Sequence, residues 1–198
     1  MIKINAIGID CPKPVIMAKK ELDNITEGSV EILADNYVCV QNLIKLAESS
    51  GYEHEYVQES MDRFVVTINK SGASEEAEAI STEPINDDFT IAIGNRYYGS
   101  GNDELGEILM KSFIYTVSET EPLPKTIVFY NSGVYLTVKG SPVLDDIRAL
   151  LDAGVEIISC GTCLDFFGLK EELEVGEISN MYTIYEAIKN AGRNMVIG

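Results

Sequence analysis

A chain of 198 residues with 45% apolar residues is long enough to bury the cores of two small domains or of one medium-sized domain. Its 32 acidic and 15 basic residues give a net charge of −17, which repels phosphate backbones and anionic lipids, so neither nucleic acid nor a membrane is an expected partner. The single histidine, His54, argues against Ser-His-Asp and Cys-His catalysis and against a histidine-rich metal site.

Four cysteines occur in a chain that opens without an apolar run of signal-peptide length. No segment approaches the roughly 18 apolar residues of a membrane-spanning helix. We therefore expect a cytoplasmic protein whose cysteines are thiols, ligands or redox pairs rather than a disulfide framework. No cofactor and no resident metal are predicted.

Residues 1–70 are predicted to form a small α/β domain. Apolar alternation predicts strands at Ile2–Ala6 and Ser29–Ala34, and apolar residues at helical spacing predict a helix after each strand. Two further alternating segments, residues 52–58 and 63–69, predict a hairpin. The order β-α-β-α-β-β predicts a two-layer sandwich with two helices on one face of a mixed sheet.

Cys11 lies between the first strand and the first helix. Pro12 suits the first helical position, because its missing N–H would be unpaired there. The helix N-terminus and the neighbouring Lys13 favour a thiolate, so one interpretation of Cys11 is a nucleophile and the other is a small buried apolar residue. Cys39, inside the second helix, is predicted to be a core thiol.

Residues 71–88 change to small, polar and acidic side chains that cannot bury enough surface to order themselves. They predict a flexible linker without a binding role, between one domain at 1–70 and another at 89–198. A tether of about 18 residues has a root-mean-square reach of roughly 20–25 Å, enough to bring sites in the two domains together.

Residues 89–198 are predicted to form a doubly wound parallel sheet. Nearly continuous apolar strands at Phe89–Ile93, Thr126–Tyr130 and Val155–Ser159 alternate with helical patterns, and Asn194–Ile197 predicts a final strand. Ligands bind at the carboxyl ends of such strands. Three loops are expected to gather there: residues 94–101, 131–133 and 160–163.

The Cys160-x-x-Cys163 motif has three interpretations. It could be a redox pair, half of a zinc site completed by oligomerisation, or a persulfide site in which Cys160 accepts sulfur and Cys163 resolves or releases it. A separate interpretation takes Gly94–Gly101 as an anion cradle for a nucleotide or phosphate. That loop contains Arg96 but lacks the Gly-Lys-Ser/Thr ending of a phosphate-binding loop, so a tight turn is favoured.

The N-terminal pattern resembles the TusA/SirA-like sulfur-carrier family, in which one cysteine holds a persulfide. The resemblance rests on Gly8 and on Cys-Pro-x-Pro at residues 11–14 leading into a helix, and it covers about the first 70 residues. It implies that Cys11 carries the persulfide. The family usually has aspartate six residues before the cysteine, where this chain has Asn5, so a proton-shuttling role does not carry over to that position.

The C-terminal pattern resembles the DsrE-like sulfur-relay family over about residues 89–198. The resemblance rests on Gly99-x-Gly101-x-x-Glu104-Leu105-Gly106, on Asn-Ser-Gly-Val at 131–134 and on Cys160-Gly161-x-Cys163-Leu164. The pairing of both domains is similar to the sulfurtransferase-like selenium-metabolism proteins of the YedF type.

These resemblances imply a carrier that holds sulfur or selenium on Cys11, Cys160 and Cys163 and passes it between thiols. The implied partners are a sulfur donor such as a cysteine desulfurase and a downstream thiol acceptor protein, and a homo-oligomer is expected. We hypothesise relay between Cys11 and Cys160 within one chain. Enzyme status stays open, sulfurtransferase-like at most, and the alternative is a thiol-disulfide redox-sensing or protein-interaction module that uses Cys160 and Cys163.

Overall fold

The computed structural model of the chain describes residues 1–10, 12–71 and 88–198. It divides into two compact units, Met1–Ile80 and Ser81–Gly198, and each is described by itself. Cys11 and residues 72–87 of the predicted linker lie outside the described residues, so the predictions made for them stay predictions.

The described part of the N-terminal unit is a mixed sheet with helices on one face. Its strands lie in the order β1-β2-β4-β3, with β1 parallel to β2 and the other neighbours antiparallel. The elements are β1 (Ile2–Asn5), α1 (Lys13–Asn24), β2 (Gly28–Ala34), α2 (Tyr37–Ser49), β3 (Glu53–Ser60) and β4 (Arg63–Lys70). The predicted sandwich and its element order are confirmed.

Alternation along the strands explains why one face of this sheet is covered. In β2, Val30, Ile32 and Ala34 are buried, while the residues between them point to the other face and stay partly exposed. The helices cover the buried face with apolar side chains at helical spacing. These are Ala18 and Leu22 of α1, and Val40, Leu43 and Ala47 of α2.

Residues 88–198 form a parallel sheet with helices on both faces. The strands lie in the order β8-β7-β6-β5-β9, and every neighbouring pair is parallel. The elements are β5 (Phe89–Ile93), α3 (Asp103–Glu119), β6 (Thr126–Phe129), α4 (Leu144–Asp152), β7 (Glu156–Cys160), α5 (Gly161–Phe167), β8 (Glu177–Ser179), α6 (Met181–Lys189) and β9 (Arg193–Ile197). A 3-10 helix (Asn131–Leu136) follows β6.

Apolar clusters lie on both sides of this sheet, which confirms the doubly wound architecture. All four residues of β6 are buried. Ile127 and Phe129 pack with Met110 of α3 and Ile147 of α4, whereas Val128 packs on the opposite face in a cluster that includes α6. A strand buried on both faces requires the continuous apolar run seen in the sequence.

The structure adds two details to the elements predicted for the C-terminal unit. The helix α4 begins at Leu144, shortly after a turn in which the Ser141 N–H donates to the carbonyl of Val138. The short strand β8 was not predicted. Among the described residues no helix is long and apolar enough to cross a membrane.

Candidate functional site

Two cysteines lie at the carboxyl edge of the C-terminal sheet. Cys160 is the last residue of β7. The helix α5 begins at the next residue, Gly161, and Cys163 lies in its first turn. The neighbouring strand β6 ends at Phe129, so the segment that starts at Asn131 emerges beside the cysteines. The three loops predicted to meet at this edge do come together.

Asn131 provides a hydrogen bond from the backbone to a cysteine sulfur. Its N–H donates to the Sγ of Cys163 over 3.1 Å. Asn131 has a φ of 48°, in the left-handed region that asparagine enters more readily than most residues. This backbone conformation aims the N–H at the sulfur.

Close packing fixes the turn that carries Asn131. A Cβ atom added to Gly133 would lie 2.2 Å from the carbonyl oxygen of Ile93, at the end of β5, so only glycine fits there. The Ser132 hydroxyl donates to the Oδ1 of Asn95 over 3.1 Å, and the Arg96 N–H donates to the same hydroxyl over 3.3 Å. The loops after β5 and β6 are therefore tied together next to the cysteines.

The loop after β5 shows the geometry of a tight turn. Gly99 and Gly101 have φ values of 82° and 133°, which glycine adopts without steric cost. The Arg96 guanidinium lies 5.1 Å from the ring centroid of Tyr97 and 5.2 Å from that of Tyr135. Cation–π contacts with these rings account for its position.

The two cysteines differ in burial. Cys160 is 1% exposed and packs in an apolar cluster with Val128, Ile158 and Ile184. Cys163 is half-buried. A reagent approaching from solvent therefore meets the sulfur of Cys163 before that of Cys160.

Opposing influences act on the pKa of the Cys163 thiol. Burial is the largest, and it raises the pKa above the ordinary value of a cysteine; a hydrogen bond between the two cysteine sulfurs raises it further. The Asn131 N–H acts in the other direction, because it stabilises the thiolate. The net result is a raised pKa, so Cys163 is held mainly as a neutral thiol near neutral pH.

In the N-terminal unit, a hydrogen bond links the turn after β1 to the residue that follows β2. The Gly8 N–H, in a turn with a φ of 74°, donates to the carboxylate of Asp35 over 2.6 Å. This hydrogen bond is the main cause of the lowered pKa of Asp35. The helix α1 begins at Lys13, so Pro12 is its N-cap residue rather than the first helical residue that the sequence had predicted, and Pro14 lies in the first turn.

Cys39 is 2% exposed and lies in the core of the N-terminal unit, as predicted. Its N–H donates to the Asn36 side chain, which caps α2. A buried thiol of this kind acts as a small apolar residue.

Family models match both parts of the chain. A model described as "Sulfurtransferase TusA" matches residues 2–70, which include Cys11, and a model described as "DsrE/DsrF-like family" matches residues 98–197, which include Cys160 and Cys163. The second match covers half of the chain. The chain is a TusA/SirA-like sulfur-carrier domain fused to a DsrE-like domain.

Known proteins resemble the TusA domain and the fused chain. A protein of Methanocaldococcus jannaschii named "Putative sulfur carrier protein" is 34% identical over 71 residues, which are 35% of this chain and 95% of that protein. An uncharacterized protein of the same archaeon is 27% identical over 184 residues, 87% of this chain but 64% of that longer protein. The crystal structure of a SirA-like protein from Desulfitobacterium hafniense is 44% identical and covers 37% of this chain and 100% of its own, with a TM-score of 0.35.

Sequence reasoning did not identify two hydrogen-bonding groups, one in each domain. The Asn131 N–H of the DsrE-like domain is a backbone donor, and its only sequence signal is an Asn-Ser-Gly turn after a buried strand. In the TusA domain, the Asn36 side chain caps α2, and the carboxylate of the preceding Asp35 accepts the Gly8 N–H. Among the described residues, no group of three or more His, Cys, Asp and Glu side chains could hold a metal ion.

Proposed function

We propose that this chain carries sulfur as a persulfide, on Cys11 of the TusA domain and on the Cys160/Cys163 pair of the DsrE-like domain, and passes it between thiols. Membership of the TusA and DsrE/DsrF-like families supports a sulfur-carrier role. A relative of the TusA domain is named a sulfur carrier protein.

The hydrogen bond from the Asn131 N–H to the Sγ of Cys163 carries the proposal for the DsrE-like domain. A fixed donor aimed at a sulfur stabilises negative charge on that atom and needs no reorganisation when the charge develops. Nucleophilic attack by Cys163 on a donor persulfide requires such a charge, because the thiolate is the attacking form.

The proposed partners are proteins that give or take a sulfur atom through a thiol. A cysteine desulfurase is the proposed donor, and a thiol protein is the proposed acceptor. Exchange of sulfur between Cys11 and the cysteine pair of the same chain, and assembly into a homo-oligomer, are parts of the proposal. Selenium is a second proposed cargo, because a thiolate attacks selenium as it attacks sulfur.

Intact-protein mass spectrometry tests the proposal. The full chain is incubated with a cysteine desulfurase and cysteine, alongside Cys11→Ser, Cys160→Ser and Cys163→Ser variants and a Cys39→Ala control at a buried thiol. We expect added sulfur mass that falls in the Cys11 and Cys163 variants and is unchanged in the control. Loading that is the same in all variants would overturn the proposal.

The same variants test exchange within one chain. If sulfur passes between Cys11 and the pair, blocking one site changes the rate at which the other site loads. Independent loading of Cys11 and of the pair would remove the exchange from the proposal and leave two separate carriers.

A redox module is the second candidate function, favoured by the packing of Cys163 against the apolar cluster that contains Cys160. Such a module would gain no sulfur from the desulfurase. Under mild oxidant it would lose the mass of two hydrogens, and this loss would require both cysteines.

A further inference from the structure

The two cysteines of the Cys160/Cys163 pair differ in their access to solvent. Cys163 is half-buried and bound by the Asn131 N–H, whereas Cys160 is 1% exposed. Cys163 packs against the apolar cluster that contains Cys160. A sulfur atom that reaches Cys163 from solvent is therefore already next to a second, enclosed thiol.

The surroundings of Cys160 are unsuited to holding a persulfide. They consist of aliphatic side chains of the sheet and of α6, including Ile158 and Ile184. Burying a charged or strongly polar group among such side chains is costly unless it is paired. Moving the outer sulfur from Cys163 onto Cys160 would place that group in the apolar cluster, while a disulfide between the cysteines places no charge there.

We propose that Cys163 is the sulfur-accepting residue and that Cys160 resolves its persulfide, so that hydrosulfide is released and a Cys160–Cys163 disulfide remains. This activity rests on the proposed function, because it requires a persulfide to form on the pair. This activity is distinct from sulfur transfer, because the site releases reduced sulfide as well as passing sulfur between thiols.

As the Sγ of Cys160 forms a bond to the Sγ of Cys163, the proton of the Cys160 thiol passes to the outer sulfur of the persulfide anion, so no thiolate is left in the apolar cluster. The bond between the Sγ of Cys163 and the outer sulfur breaks, and the outer sulfur leaves with the electron pair as hydrosulfide. The outer sulfur is reduced by two electrons, and the two cysteine sulfurs together are oxidised by two. An external dithiol then reduces the disulfide, supplying two electrons and two protons and becoming a disulfide itself.

The reaction is intramolecular, because Cys160 and Cys163 belong to one Cys-x-x-Cys segment and Cys163 packs against the cluster that contains Cys160. Attack by a neighbouring group avoids the entropy cost of bringing two molecules together, which is worth several powers of ten in rate. A free thiol in solution must therefore compete with Cys160 for the persulfide on Cys163. An acceptor protein obtains the sulfur only if it reacts before Cys160 does.

Anaerobic loading with inorganic polysulfide tests this inference in the full chain. A Cys11→Ser background leaves loading to the cysteine pair and to Cys39. After gel filtration, released sulfide and intact mass are followed with time. We expect this chain to release sulfide and to end two hydrogens lighter than its reduced form. Cys39→Ala, the matched change at another buried thiol, should leave both results unchanged.

Cys160→Ala separates the two steps, and alanine avoids burying a hydroxyl in the apolar cluster. We expect this variant to keep one added sulfur on Cys163, located by peptide mapping, and to release sulfide slower by on the order of tenfold or more. Sulfur found on Cys160, or rapid release from Cys160→Ala, would overturn the inference. If Cys163 of the Cys160→Ala variant takes up no sulfur, the proposed function of the pair fails as well.

Discussion

Two buried hydroxyl groups of the DsrE-like domain allow a prediction in which a double variant is more stable than one of its single variants. Thr137 and Ser159 are completely buried, and their oxygens lie 2.9 Å apart. The Thr137 hydroxyl donates to the carbonyl of Val134 over 3.0 Å. Because its one proton is used there, the Ser159 hydroxyl must donate to Thr137.

Removing the Ser159 hydroxyl and removing the Thr137 hydroxyl should change the free energy of unfolding by different amounts. Ser159→Ala deletes a donor and leaves the Thr137 proton bonded, so we expect a loss of about 0.5–1.5 kcal/mol of unfolding free energy. Thr137→Val leaves the Ser159 hydroxyl buried without an acceptor, at a cost of about 1–3 kcal/mol. The carbonyl of Val134 keeps a partner in this variant, because the backbone N–H of residue 137 also donates to it. The double variant has no orphaned donor and should be more stable than Thr137→Val alone.

Hydrogen exchange of the native full chain measures these differences. Amides of the central strands exchange through unfolding of their unit, so their rates report its free energy. Thr137→Val should accelerate exchange at Ile127 and Ile157 by roughly 5- to 150-fold, and adding Ser159→Ala should slow it again. If the double variant loses the sum of the two single effects, the assignment of donor and acceptor is wrong.

Two further predictions concern backbone N–H groups that lower a pKa, one in each domain. The Asn131 N–H lowers the pKa of Cys163, and valine at position 131 disfavours the positive φ that this hydrogen bond needs. Asn131→Val should therefore shift the alkylation of Cys163 to higher pH, whereas Asn131→Gly should not. Equal pH profiles of the two variants would show that this hydrogen bond has no effect. The Gly8 N–H lowers the pKa of Asp35, so this bond contributes stability above the carboxylate's unfolded pKa and loses it as pH falls through the lower folded pKa. The Gly8 amide resonance should follow this titration in NMR spectra, should lose it in Asp35→Asn, and should keep it in Asp62→Asn, a control at the exposed β3–β4 turn.

The sequence predicted those features of the fold that repeat along the chain. Alternation in β2 and continuous burial in β6 follow from the spacing of apolar residues. The sequence therefore predicted both a sheet with helices on one face and a sheet with helices on both faces. The strand β8 (Glu177–Ser179) could not be found in this way, because three residues show no period and pairing with β7 alone defines the strand.

The sequence identified the cysteine pair but not the arrangement of its sulfurs. Cys-x-x-Cys after a strand gives the position of both residues at the sheet edge. Which sulfur is enclosed depends on how α5 leaves β7: a Cβ on Gly161 would lie 2.9 Å from the Cγ2 of Ile178, so the helix starts tightly against β8. Tertiary contacts of this kind leave no local pattern in the sequence.

The pairing of β5 with β9 affects the order in which the C-terminal sheet can be completed. Phe89 lies opposite Arg193, and Ile93 lies opposite Ile197. Joining partners about a hundred residues apart costs more chain entropy than joining β5 to the nearer β6. During synthesis, β5 therefore has one open hydrogen-bonding edge until residues 193–197 emerge, and an open edge is the place where a nascent strand can pair with another chain.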